Sequence, residues 1–93
     1  MKVGDCRYTL LCDEEGIVLC DPVVLIPEED TVWLSHGNTD VTLWARGIAM
    51  SSNWVVQVSE PDVAPLQVQG PKSIHVMNEI CAEPIDELKN YKC

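Results

Sequence analysis

A chain of 93 residues has room for one domain and one small core, and its 46 % apolar residues contain no uninterrupted run of about eighteen that could span a bilayer. Fifteen Asp and Glu against six Lys and Arg give a net charge of -9, which repels a phosphate backbone and excludes nucleic acid as an expected partner. With no basic-then-apolar leader at the N-terminus, a soluble cytoplasmic protein without membrane contacts is expected.

The first strand is expected over residues 5 to 12, DCRYTLLC, which are rich in β-formers and lead into the polar turn DEEG. A hairpin follows. Ile17 to Ile26 is apolar apart from Asp21-Pro22, which predicts a long strand with a break, because proline cannot donate to a ladder. After PEED turns the chain, Thr31 to Ser35 supplies a third strand.

From Asp40 to Met50 the apolar period lengthens, placing Val41, Trp44, Ala45 and Ile48 on one helical face, with Thr39 or Asn38 available as cap and Asp40 in the first turn. Two further strands are expected, since Trp54, Val56 and Val58 alternate with polar or outward residues and Leu66 and Val68 alternate with Gln67 and Gln69. Pro71 suits the first position of a second helix carrying Ile74, Met77 and Cys81 and running to about Ile80. A short helical stretch is expected to restart at Glu83-Pro84 with Ile85 and Leu88 on one side. The order β-β-β-α-β-β-α predicts an α+β fold: a mostly antiparallel sheet of about five strands, one main helix packed on it, and short helices at the C-terminal end.

The five cysteines (Cys6, Cys12, Cys20, Cys81 and Cys93) form no C-x-x-C pair and are odd in number, so reduced, mostly packed thiols are expected. His36 and His75 lack a second ligand at metal spacing, and no metal is assigned. The acidic groups Asp13 to Glu15 and Glu28 to Asp30 read as solvated turn tips.

Three segments carry a resemblance. EPDVAPLQVQGPKS (60 to 73) resembles the strand, Q-G-P turn and helix start of glycine-cleavage T-proteins, and especially of their dimethylsulfoniopropionate-demethylase branch. GDCRYTLLCDEEGIVLCDPVVL (4 to 25) is similar to the family hairpin, in which a tyrosine on one strand faces a G-G-x-x-D-D or N-D motif on the next. DTVWLSHGNTDVTLWARGIA (30 to 49) resembles the strand and helix with the W-L-S and L-W-x-K-G pattern. The matches keep family order and cover nearly the whole chain as an internal segment.

That resemblance implies a partial ferredoxin-like unit of a folate-binding domain, lacking an opening βα unit. It implies transfer of an aminomethyl or methyl group from a carrier protein or small methylated donor to tetrahydrofolate. Carried over by position, Tyr8 would face the folate or donor site, and Cys20 with Asp21 would mark the catalytic corner. Glycine-cleavage members have Asp where Cys20 stands, whereas the demethylase branch tends to Asn-Asp; Gly16 keeps the first glycine and Ile17 replaces the second. Family members are several times longer, so little or no tetrahydrofolate binding is expected from this segment alone. A non-catalytic, self-associating α+β module is the other reading, and a homodimer is expected because an uncovered sheet edge favours pairing.

Overall fold

A computed structural model describes residues 1–37 and 40–93. Among the described residues the architecture is α+β, with five antiparallel strands and two helices: β1 (Cys6–Tyr8), β2 (Leu11–Cys12), β3 (Val18–Cys20), β4 (Val23–Glu28), β5 (Thr31–Ser35), α1 (Val41–Ser51) and α2 (Ser73–Ile80). Strands β1, β4 and β5 form one sheet in the order β1-β4-β5, and β2 pairs with β3 in a second.

The two sheets are halves of one bent hairpin. Tyr8 lies opposite Val23 and Leu11 opposite Cys20, while between them the Thr9 amide donates to the Pro22 carbonyl over 3.0 Å. The expected strand over 5 to 12 is therefore divided, and so is the run from Ile17 to Ile26. Pro22, fully buried and without an amide hydrogen, interrupts both at the same level. At the hairpin tip, Asp13 accepts from the Glu15 and Ile17 amides at 3.0 and 2.8 Å, and Gly16 takes φ +84°, a conformation open to glycine without steric cost.

Strand β5 has the expected bounds. Helix α1 does too, within a residue, but its cap is Asp40 itself, whose carboxylate accepts from the Leu43 amide at 3.4 Å. Thr39 and Asn38, the expected caps, lie outside the described residues. On the helix, Val41 is buried, Ala45 and Ile48 are half-buried and Trp44 sits at the rim, so the apolar period was read correctly. The helix ends as Ser52 donates to the Ile48 carbonyl and Asn53 turns left-handed at φ 55°. Leu11 and Leu19 of the small hairpin face Asp40, Val41 and Trp44 of α1 across an apolar niche of about 140 Å³.

Beyond α1 the expectations fail in three places. Residues 54 to 60 and 63 to 69 are irregular and join no ladder; alternation supplies a strand's pattern and cannot supply its partner. Helix α2 begins at Ser73, with Gly70, Pro71 and Lys72 forming the preceding turn, so Pro71 is not its first residue. Residues 83 to 88 form turns instead of a helix, held to α2 by Asn78, which accepts from the Ile85 amide at 2.8 Å and donates to Asp86 at 2.7 Å.

The C-terminal residues return to β1. Cys6 donates to the Tyr91 carbonyl, Cys93 donates to the Gly4 carbonyl, and the Lys92 ammonium donates to the Asp5 carboxylate. That hydrogen bond, assisted by the Lys2 amide, holds the Asp5 carboxyl down to about 2 from an ordinary 3.8. A depressed carboxyl stabilises the fold at pH values above the ordinary aspartate range, and the contribution fades as pH falls through 3.8 toward 2. In an NMR titration Asp5 is expected to show a midpoint of about 2, returning toward 3.8 in Lys92→Met; an ordinary midpoint in the wild-type chain would mean that the clasp does not form in solution.

Burial is sparse. Among the described residues the buried hydrophobic side chains are Cys20 and Val41, beside Pro22, and the accessible surface is 8142 Å². A compact monomer of 10.4 kDa exposes about 5,400 Å² by the usual mass scaling. Much apolar surface is thus left uncovered within this chain.

Candidate functional site

The sequence singles out Tyr8, Cys20 and Asp21, and the bent hairpin determines how they meet. Because side chains on one face of a strand pair are those directly opposite and two residues away, Tyr8 opposite Val23 shares a face with Asp21. The Tyr8 hydroxyl donates to Asp21 Oδ2 at 2.7 Å. Both residues are exposed, with Tyr8 at 57 %.

Cys20 goes elsewhere. It is 6 % exposed, whereas its neighbour Asp21 reaches solvent, so the structure brings together Tyr8 and Asp21 and leaves the thiol in the interior. The alternation of side chains along a strand is the physical reason. All five cysteines are free. Among the described residues no group of three or more His, Cys, Asp or Glu could hold a metal ion, and no helix is long and apolar enough to cross a membrane.

The hydrogen bond to the Asp21 carboxylate, with a smaller contribution from desolvation, raises the Tyr8 hydroxyl above its ordinary value of 10.0. Removing the phenolic proton would set two negative oxygens side by side. In a Tyr91→Phe background, ultraviolet titration is expected to give a Tyr8 midpoint above 10.0, and Asp21→Ala should bring it down toward that value. Equal midpoints in the two variants would show that the pair does not persist in solution.

Beside Tyr8 lies a shallow groove of about 390 Å³, lined by Asp5, Cys6, Arg7, Tyr8 and Tyr91. The sequence reading did not single out Arg7 or Tyr91; Tyr91 reaches this wall only because the C-terminal residues pair back onto β1, a contact with no local signature. Tyr8 joins this groove to Asp21, which its hydroxyl holds from outside the lining.

Comparison with known proteins identifies the scaffold. Residues 1–93 match the GCVT N-terminal domain family from end to end, and the chain belongs to that family. It is 33 % identical over 92 residues to the dimethylsulfoniopropionate demethylase DmdA of Ruegeria pomeroyi, covering 99 % of this chain and 25 % of the relative. Aminomethyltransferases of Bacillus cytotoxicus and Bacillus cereus are 27 % and 28 % identical over 95 residues, covering 99 % of this chain and 26 % of each relative. The chain thus spans about a quarter of the length of the curated relatives it matches, and the resemblance expected from the hairpin, the W-L-S strand and the Q-G-P turn is borne out as a segment of this family.

Proposed function

We infer that this chain forms one wall of the pocket of a tetrahydrofolate-dependent methyl- or aminomethyltransferase, and that it has little or no activity by itself. The observation that carries the reading is the exposed Tyr8–Asp21 pair at 2.7 Å in a chain of this family. A carboxylate oriented by a tyrosine that lines an open groove suits the stabilisation of positive charge developing on a nitrogen during group transfer.

Tyr8 and Asp21 fit one edge of a folate site, because a hydroxyl donor and a carboxylate acceptor are fixed in one direction on the solvent side of the hairpin. Tetrahydrofolate, when bound, supplies the accepting nitrogen. Tyr8 orients Asp21, Asp21 faces the charge, and the donor is a small methylated molecule or an aminomethyl carrier. Cys20, buried, contributes packing under that edge. The 33 % identity to a demethylase, together with an uncharged residue before the aspartate, favours methyl over aminomethyl transfer.

Positioning a donor and acceptor at reacting distance requires enclosure, and this wall encloses nothing alone. Calorimetry with tetrahydrofolate is therefore expected to show no saturable binding by the 93-residue chain at a dissociation constant tighter than about 1 mM. Residues 1–93 placed in the Ruegeria pomeroyi demethylase, in exchange for the segment they match, are expected to support its activity. A folded chimera with no demethylation would count against the reading.

A further inference from the structure

We propose that Arg7 binds the carboxylate of the donor substrate, which makes the groove beside Tyr8 a subsite for a small zwitterion carrying a positive onium centre and an acid group. The proposal rests on the reading that Tyr8 and Asp21 line the pocket of the full-length enzyme, and it adds which part of the substrate the neighbouring groove takes.

Four consecutive residues, Asp5 to Tyr8, line the groove with Tyr91 of the segment beside them, and its volume of about 390 Å³ gives room for a small molecule. Asp5 and Arg7 are the charged members of that lining. The carboxylate of Asp5 is already answered, since the Lys92 ammonium and the Lys2 amide both donate to it. Arg7 therefore sets the sign of the charge that the groove offers a ligand, in a chain whose net charge of -9 repels anions elsewhere. A guanidinium stays protonated throughout the working range, and its planar fork of donors matches both oxygens of a carboxylate.

Asp21 supplies the opposite pole. Side chains of consecutive strand residues leave on opposite faces, but this groove follows the edge of β1, so Arg7 and Tyr8 both line it. The Tyr8 hydroxyl in turn holds the Asp21 carboxylate at 2.7 Å. A cation and a carboxylate thus flank one tyrosine, an arrangement that suits a ligand with the reverse charges a few bonds apart. Tyr8 and Tyr91 add aromatic faces, which attract an onium centre and do nothing for a neutral donor.

The test uses the full-length demethylase chimera that carries residues 1–93, with dimethylsulfoniopropionate as the probe in calorimetry. Arg7→Gln is expected to weaken binding more than about tenfold, and Arg7→Lys to recover part of the loss, since a point charge lacks the fork. Dimethyl(3-hydroxypropyl)sulfonium, which has no carboxylate, should bind the parent chimera and Arg7→Gln equally. Arg7 is exposed, so its replacement removes no buried contact and circular dichroism should not change. Equal affinities of the parent and Arg7→Gln for dimethylsulfoniopropionate, an equal loss for both probes, or no binding by the folded parent overturn the proposal. A chimera that binds through Arg7 yet never demethylates keeps the subsite and removes the transfer reading; demethylation with no dependence on Arg7 does the reverse.

Discussion

Asp21→Ala, made in a demethylase chimera that carries residues 1–93, is expected to reduce turnover by about 10²–10³-fold, the usual cost of deleting one preorganised electrostatic partner of a transition state. The substitution removes the acceptor of the Tyr8 hydroxyl but touches no buried group, since both residues face solvent, so folding should survive. Tyr8→Phe leaves the carboxylate in place without its orienting donor and should cost about tenfold, as one hydrogen bond's worth of positioning. The ordering of the two variants is informative. Initial rates in which Asp21→Ala equals the parent chimera would remove Asp21 from the chemistry, whereas an equal loss in both variants would make the hydrogen bond, more than the charge, the functional element.

The second large effect is on stability. The hairpin resemblance implies Asp where this chain has Cys20, yet replacing Cys20 by aspartate is expected to destabilise the fold by about 3–5 kcal/mol at neutral pH, because a site 6 % exposed would receive an unpaired charge. Cys20→Ala, which removes only a small apolar volume, should cost about 1 kcal/mol. Burial raises the pKa of the introduced carboxyl in the folded state, so the penalty is least below the ordinary aspartate range and grows as pH rises through the raised value. Urea denaturation near pH 4 and pH 7 separates these contributions. If Cys20→Asp matches Cys20→Ala at pH 7, the position can turn its side chain outward, and the thiol is an ordinary replacement for the family carboxylate.

Local chemistry explains which parts of this fold could be read in advance. Pro22 announced a break in the apolar run, Asp13-Glu14-Glu15-Gly16 announced a tip, and the change of apolar period after Asp40 announced α1; each is a property of a few adjacent residues. The failures share a different origin. Trp54 to Val58 and Leu66 to Gln69 alternate as strands do, but a strand exists only beside another, and that neighbour is not encoded in the alternation. Pro71 sits before the helix instead of within it because Gly70 and Lys72 complete a turn first. At the site, the pairing of Tyr8 with Asp21 was reachable only through the family hairpin, since the two lie thirteen positions apart and no periodicity links them. That Cys20 and Asp21 part company followed from nothing more than strand alternation, and the resemblance had obscured it by treating the two as one corner.

The clasp between Asp5 and Lys92 joins residues 87 positions apart. Closing an unstructured loop of that length costs about 4 kcal/mol of chain entropy, far beyond what one solvated ion pair returns. The clasp therefore cannot nucleate the fold. It forms once the bent hairpin and both helices have shortened the effective tether, which makes it a reporter of completed folding: a probe pair near residues 2 and 93 should close after every other signal, and reopen first when the chain is heated.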